Sequence, residues 1–200
     1  MSGRADNPFR RATFLRGAQR FEQLPPDAGR EVAFAGRSNV GKSSLINALA
    51  GQRRLVRTSR TPGRTREINF FEAWPGARLV DLPGYGYAKV SQAERAGWGV
   101  LMARYLAERR ALAGVIVVMD IRHPFRGSDR ALLMWLAQAG VRAHVVLNKA
   151  DKLSHGGRQE VLRRARREGV CDAAGVQIFS SVSGEGVVVL RRTVAAWLAP

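Results

Sequence analysis

Cysteine occurs once, at Cys171, so the chain cannot form an internal disulfide, and no Cys or His stands near it at metal-ligand spacing. A small buried or half-buried thiol in a reducing compartment is expected. Long apolar runs are also missing. The longest, Val115 to Met119, is far too short to span a bilayer, and MSGRADNPFRR lacks the apolar core of a signal peptide. The expected location is cytoplasmic, with no membrane partner. Acids are scarce: 16 Asp and Glu against 33 Lys and Arg leave a net charge of +17. Lysine is rarer still, confined to Lys42, Lys89, Lys149 and Lys152. Compositional bias exchanges Lys for Arg but creates no net charge, so a polyanionic partner is expected, RNA before any specific DNA.

What is present suits one α/β domain. The chain has 200 residues, of which 46% are apolar, including eight Phe and four Trp, enough for a substantial core. Residues 1–30 are polar and basic, closed by Pro25-Pro26 and Gly29, and are expected to form an N-terminal basic arm before a domain over 31–200. Phe14, Leu15 and Phe21 are the residues available to pin the arm. EVAFAG then reads as a strand and KSSLINALAG as a helix with Leu45, Ile46 and Leu49 on one face. INFFEAW and ARLVD, joined by Pro75-Gly76, read as an antiparallel hairpin. Further strands at GVIVVMD, AHVVLN and Val176 to Phe179 alternate with helices around Leu101, Leu133, Arg158 to Glu168, and Leu190. The order predicts a three-layer α/β fold: a mostly parallel six-stranded sheet, one antiparallel edge strand, helices on both faces, and ligand loops at the carboxyl ends of the strands.

Three motifs fall on those loops. Gly36-Arg37-Ser38-Asn39-Val40-Gly41-Lys42-Ser43 fits the phosphate-loop pattern between a strand and a helix. Its glycines let backbone N–H groups surround phosphate oxygens, Lys42 is placed for the β- and γ-phosphates, and the Ser43 hydroxyl for Mg2+. Asp81-Leu82-Pro83-Gly84 ends a strand where a carboxylate can hold Mg2+ and the Gly84 amide can meet a γ-phosphate. Asn148-Lys149-Ala150-Asp151 follows a buried strand and offers a carboxylate to guanine N1–H and N2–H2, a donor pair adenine lacks. Asn148 would tie this loop to the phosphate loop and the Lys149 stem would cover the base. The backbone of Ser180-Ser181-Val182 can donate to guanine O6.

Together with TPGRT at 61–65, DLPGYGYA at 81–88 and MDIRHP at 119–124, these strings resemble the EngB family of bacterial GTP-binding proteins, over about residues 13–199. The resemblance implies a Ras-like P-loop GTPase fold, GTP or GDP as ligand, GTP hydrolysis, and a role in assembling the large ribosomal subunit, with a less direct one in septation at cell division. It also places nucleotide contacts at Gly63, Arg64, Thr65, Arg66 and Glu67, with Thr65 completing the Mg2+ shell beside Ser43 and Asp81. By residue type alone, Thr58 and Thr61 are rivals to Thr65. Arg53, Arg54, Arg57, Arg60, Arg64 and Arg66 make this stretch suited to a γ-phosphate and an RNA backbone alike.

A glutamine often orients the attacking water in such proteins, but Tyr85, which has no amide, follows Gly84 here, so unaided turnover is expected to be slow and no catalytic residue is assigned. Asn39 is a candidate ligand for K+, against the alternatives that it stabilises the loop or that a nearby Arg supplies the positive charge. His123, His144 and His155 are expected to be structural or exposed. Arg163, Arg164, Arg166 and Arg167 offer either an RNA-facing helix surface or a solvated one. A signalling switch with a protein effector, and an RNA-binding module holding a structural nucleotide, are the alternatives to an assembly GTPase.

Overall fold

A computed structural model of the chain describes residues 7–56, 67–85, 92–167 and 174–200, with residues 92–98 and 174 described by backbone alone. Seven strands form one sheet: β1 Thr13–Ala18, β2 Arg30–Gly36, β3 Ile68–Trp74, β4 Ala77–Asp81, β5 Leu112–Asp120, β6 Ala143–Asn148 and β7 Ala174–Ile178, in the order β1-β3-β4-β2-β5-β6-β7. Five helices accompany them among the described residues: α1 Lys42–Ala50, α2 Gln92–Glu108, α3 Gly127–Gln138, α4 His155–Arg167 and α5 Val187–Leu198.

The sheet has one strand more than the six expected, because the segment anticipated as an arm supplies β1. β1 runs antiparallel to β3, and β3 antiparallel to β4. The one reversed strand is therefore β3, which lies one place in from the edge. The apolar pattern does not reveal β1 because Thr13 through Arg16 are all exposed. Backbone pairing and an edge-on contact of Phe14 with Phe71, centroids 5.7 Å apart, hold it instead. Phe14 and Leu15 remain exposed, Phe21 is half-buried, and the residue that anchors the segment is Phe9, fully buried beside Trp74.

The middle strands β2, β5 and β6 read as continuous apolar runs because both their faces are covered. Along β2, Ala33 and Ala35 face a core shared with Leu101 and Tyr105 of α2, Leu133 and Leu136 of α3, and Ala165 of α4. Val32 and Phe34 point the other way, onto Leu45, Ile46 and Leu49 of α1 and Leu190, Val194 and Leu198 of α5. The expected hairpin over Pro75-Gly76 is present. β7 ends at Ile178, one residue short of the expected Phe179, which is buried just beyond it.

Because β4, β2, β5 and β6 are mutually parallel, their carboxyl ends share one edge. Register places Asp81 opposite Phe34, and Asp120 opposite Asn148. At the far end, fully buried Glu31 takes Arg109 Nη2 at 2.6 Å and Nε at 2.9 Å, plus the Tyr105 hydroxyl at 3.0 Å. That pairing joins the end of α2 to the start of β2 and leaves the carboxyl edge free to carry loops.

Candidate functional site

The loop between β2 and α1 turns through two left-handed residues, Asn39 at φ 64° and Gly41 at φ 90°. Asparagine tolerates that region better than most residues, and glycine tolerates it freely. Gly41 has a second constraint: a Cβ there would lie 2.5 Å from Asn148 Nδ2. The loop then delivers Lys42, buried, and Ser43, half-buried, to the first turn of α1. Lys42 Nζ forms an ion pair with the buried carboxylate of Asp81 at the end of β4.

The Asp81-Leu82-Pro83-Gly84 turn lies against this loop. A Cβ on Gly84 would lie 2.8 Å from Ser38 Oγ, a buried hydroxyl without a hydrogen bond among the described residues. Ser38 N donates to Tyr85 O at 3.2 Å and Tyr85 N to Gly36 O at 3.3 Å, a short bridge between the two loops. Tyr85 is held at its other end as well, through its hydroxyl on Asp129 Oδ1 at 3.0 Å. Asp129 Oδ2 takes Arg37 Nε at 3.2 Å and the Arg126 backbone N–H at 3.0 Å, at the first turn of α3. Burial first, and then the Asp129 charge, push the Tyr85 hydroxyl far above the ordinary tyrosine range, so it remains a donor.

The third loop is joined to the first by side chains. Asn148 donates its amide to Val40 O at 2.8 Å and accepts the Lys149 N–H at 2.8 Å on its own oxygen. Lys149, at φ 65°, extends Nζ to Asn39 O at 2.6 Å and to Asp120 Oδ2 at 3.0 Å. Burial would raise the Asp120 carboxyl, but hydrogen bonds from Arg122 and Lys149 outweigh it and hold the group well below its ordinary range. Asp151 accepts the Ser180 hydroxyl at 2.7 Å, the main reason its carboxyl also lies low, with burial opposing. Ser180 Oγ in turn accepts the Val182 and Ser183 N–H groups at 3.2 Å, shaping the loop after β7. Ala150 is buried and donates its N–H to Phe179 O at 3.0 Å, Ser181 is half-buried, and Val182 is exposed.

The structure thus brings Gly36 to Ser43, Asp81 to Gly84, Asn148 to Asp151 and Ser180 to Val182 to one edge of the sheet. Gly63, Arg64, Thr65 and Arg66 lie outside the described residues, as do Thr58, Thr61 and Cys171. Glu67 is described, and its carboxylate accepts Gln19 Nε2 at 2.7 Å. Among the histidines, His123 and His155 are exposed and His144 is buried against Gln177. Sequence reasoning gave no role to Asp120 or Asp129. Asp120 carried the same signal as Asp81, a carboxylate closing a buried strand; Asp129, an acid in the first turn of a helix, has too many surface counterparts to stand out.

A family model of the 50S ribosome-binding GTPases matches residues 31–149. The probable GTP-binding protein EngB of Stenotrophomonas maltophilia is 48% identical over 191 residues, covering 94% of this chain and 96% of its own. The corresponding protein of Thiobacillus denitrificans is 49% identical over 191 residues, covering 95% and 92%. A crystal structure of a probable GTP-binding protein EngB has a TM-score of 0.68 at 22% identity, covering 84% of this chain and 98% of that one. Aquifex aeolicus Era bound to GDP and AlF4− gives 0.69 at 22% identity, covering 86% and 58%, a likeness of fold alone. The sheet and its loops define an α/β P-loop GTPase fold. The chain belongs to the EngB family of GTP-binding proteins, within the ribosome-binding GTPases.

Proposed function

We propose that the carboxyl edge of the sheet binds GTP with Mg2+ and hydrolyses it slowly, and that the two nucleotide states switch this cytoplasmic protein on and off precursors of the large ribosomal subunit. The observation that carries the reading is the clamp between loops: Asn148 on Val40 O and Lys149 on Asn39 O make the phosphate and guanine elements one rigid unit. A nucleotide spanning them would meet a preorganised site.

In this reading the backbone of Ser38 to Lys42 surrounds the phosphates. Ser38 Oγ, buried without a partner, gains an acceptor there, and Lys42 exchanges some of its Asp81 contact for phosphate oxygens. Asp151, held ionised by Ser180, accepts from guanine N1–H and N2–H2, and the N–H groups around Ser181 and Val182 are available to O6. The donor set fits Mg2+: Ser43 and Asp81 offer hard oxygen ligands, Thr65 is the further expected one, and phosphates and water would complete the shell. Bound there, Mg2+ would offset phosphate charge. The Tyr85 hydroxyl, engaged by Asp129, has no amide with which to orient water, which supports slow turnover without a partner.

Ribosomal RNA is the proposed macromolecular partner, supported by the family and by the +17 charge. Any effect on septation would follow from failed ribosome assembly. The experiment is single-turnover GTP cleavage with and without large ribosomal subunits. Stimulation by subunits is expected; cleavage that ignores them would point to a signalling switch, and no cleavage with either would point to a structural nucleotide.

A further inference from the structure

Three segments far apart in sequence converge on the C-terminal end of α1. Asn7 donates its amide to Leu49 O at 3.2 Å and Ala50 O at 2.9 Å. Gln52 donates to Arg10 O at 3.1 Å and Ala12 O at 2.8 Å. Arg191 of α5 reaches Leu49 O at 2.8 Å and Ala48 O at 3.0 Å. The Asn7 and Arg191 bonds occupy carbonyls of the last turn of α1, where Gly51 takes φ 66° between the Asn7 amide and the Arg191 guanidinium. Buried Asn47 fixes the next stretch, donating to Val56 O at 2.9 Å and accepting the Val56 N–H at 2.8 Å. The N-terminal turn, the connection after α1 and the closing helix are therefore one supported surface.

Five arginines stand out from it. Arg10, Arg11, Arg53, Arg54 and Arg192 are exposed and make no ion pair among the described residues, and residues 7–12, 48–56 and 187–200 contain no acid. The basic helix α4 differs: Arg163 pairs with Glu160 and Arg158 with Glu185, both at 2.7 Å. Uncompensated like charges on a fixed base repel one another, a cost that a bound polyanion removes. Guanidinium forks match phosphate oxygens two at a time. These segments carry no exposed aromatic residue, and exposed Phe14 just beyond them is already engaged edge-on with Phe71, so the five side chains are accompanied by no free stacking platform for single-stranded bases.

We infer that this surface docks the phosphate backbone of double-helical RNA, recognised by charge and shape rather than by base. The inference rests on the ribosomal reading above and adds to it the face of the protein that meets the RNA. Arg53 and Arg54 open residues 53–66, the stretch expected from the sequence to respond to the γ-phosphate, so docking and nucleotide state share one connection.

The test compares two triple variants that remove equal charge: Arg10→Ala/Arg11→Ala/Arg192→Ala on this surface, and Arg163→Ala/Arg166→Ala/Arg167→Ala on α4. Binding to large ribosomal subunits and to a short RNA duplex is measured across a salt series, with GTP affinity read by calorimetry as a check that the nucleotide site is intact. The surface variant is expected to weaken binding to both RNAs about tenfold or more near physiological salt and to flatten the log–log salt slope by about two to three units, with the α4 variant close to parent. Equal losses in the two variants would overturn the inference in favour of bulk charge. An unaltered surface variant, beside a parent that binds with a steep slope, would overturn it while leaving the ribosomal reading intact. A parent that fails to bind large subunits at any salt would remove that reading and the inference with it.

Discussion

The hydroxyl of Tyr85 is bonded to the carboxylate of Asp129 at 3.0 Å, and the same carboxylate holds Arg37 of the phosphate loop at 3.2 Å. One fully buried acid, on the first turn of α3, thereby joins the turn after β4 to the loop after β2. A change at the γ-phosphate that moved Tyr85 would be felt at Arg37 and at α3 through this carboxylate.

Removing the hydroxyl tests that connection. Tyr85→Phe should cost about 1 kcal/mol of stability, the usual net worth of one hydrogen bond, measured by chemical denaturation of the nucleotide-free protein. Its raised pKa means that the bond is intact below the ordinary tyrosine range and is lost only as pH rises through the elevated value. The stability gap between parent and variant should accordingly be constant from about pH 6 to 9 and narrow as pH rises past about 10, where the unfolded tyrosine ionises and the folded one does not. A gap that stays constant well past about pH 10 would show that the hydroxyl titrates alike in the folded and unfolded chain and is not held by Asp129.

Base choice should reside in Asp151. Asp151→Asn is expected to weaken GTP binding by about 10- to 100-fold, the range for losing a charged hydrogen-bond acceptor, and to favour a xanthine nucleotide. Calorimetry with both nucleotides decides it; an unchanged preference for GTP would remove Asp151 from the guanine site.

The same residue predicts a pH response. Ser180 holds the Asp151 carboxyl below its ordinary value, so its ionised contribution is complete above that value and fades only as pH falls through the depressed one. The ratio of GTP to ITP affinity, in which phosphate titration cancels, should be flat from about pH 8 to 5. A ratio that falls near pH 6 would place another group at N2.

Much of this architecture was legible because the signals were local. A strand, a glycine-bearing loop and a helix in sequence placed Lys42 and Ser43, and buried runs ending in Asp81 and Asn148 placed the other two loops. β1 was hidden because an edge strand held by backbone bonds needs no alternating apolar face. The cross-links were hidden for a different reason: Asn7 to Ala50, Tyr85 to Asp129 and Arg191 to Leu49 join residues 43, 44 and 142 positions apart, and no sequence period encodes such pairs.

Asn39 is a candidate K+ ligand from the sequence alone, and its left-handed backbone gives a separate reason for asparagine at that position. Asn39→Gly keeps the conformation and removes the amide, so it separates the two roles better than alanine. The parent should cleave GTP faster in KCl than in NaCl at equal ionic strength, and Asn39→Gly should lose that difference. Equal parent rates in the two salts would end the potassium proposal, and a stimulation that survives in Asn39→Gly would place the ion elsewhere.

The central claim is that nucleotide state controls association with the large ribosomal subunit. Its most direct measurement is co-sedimentation of the protein with large subunits in GDP and in a non-hydrolysable GTP analogue, at one fixed salt concentration. Retention at least about tenfold tighter in the GTP-like state is predicted, a coupling of roughly 1.4 kcal/mol. Equal retention in the two states would contradict the account, because a protein bound alike in GTP and GDP is not switched by either.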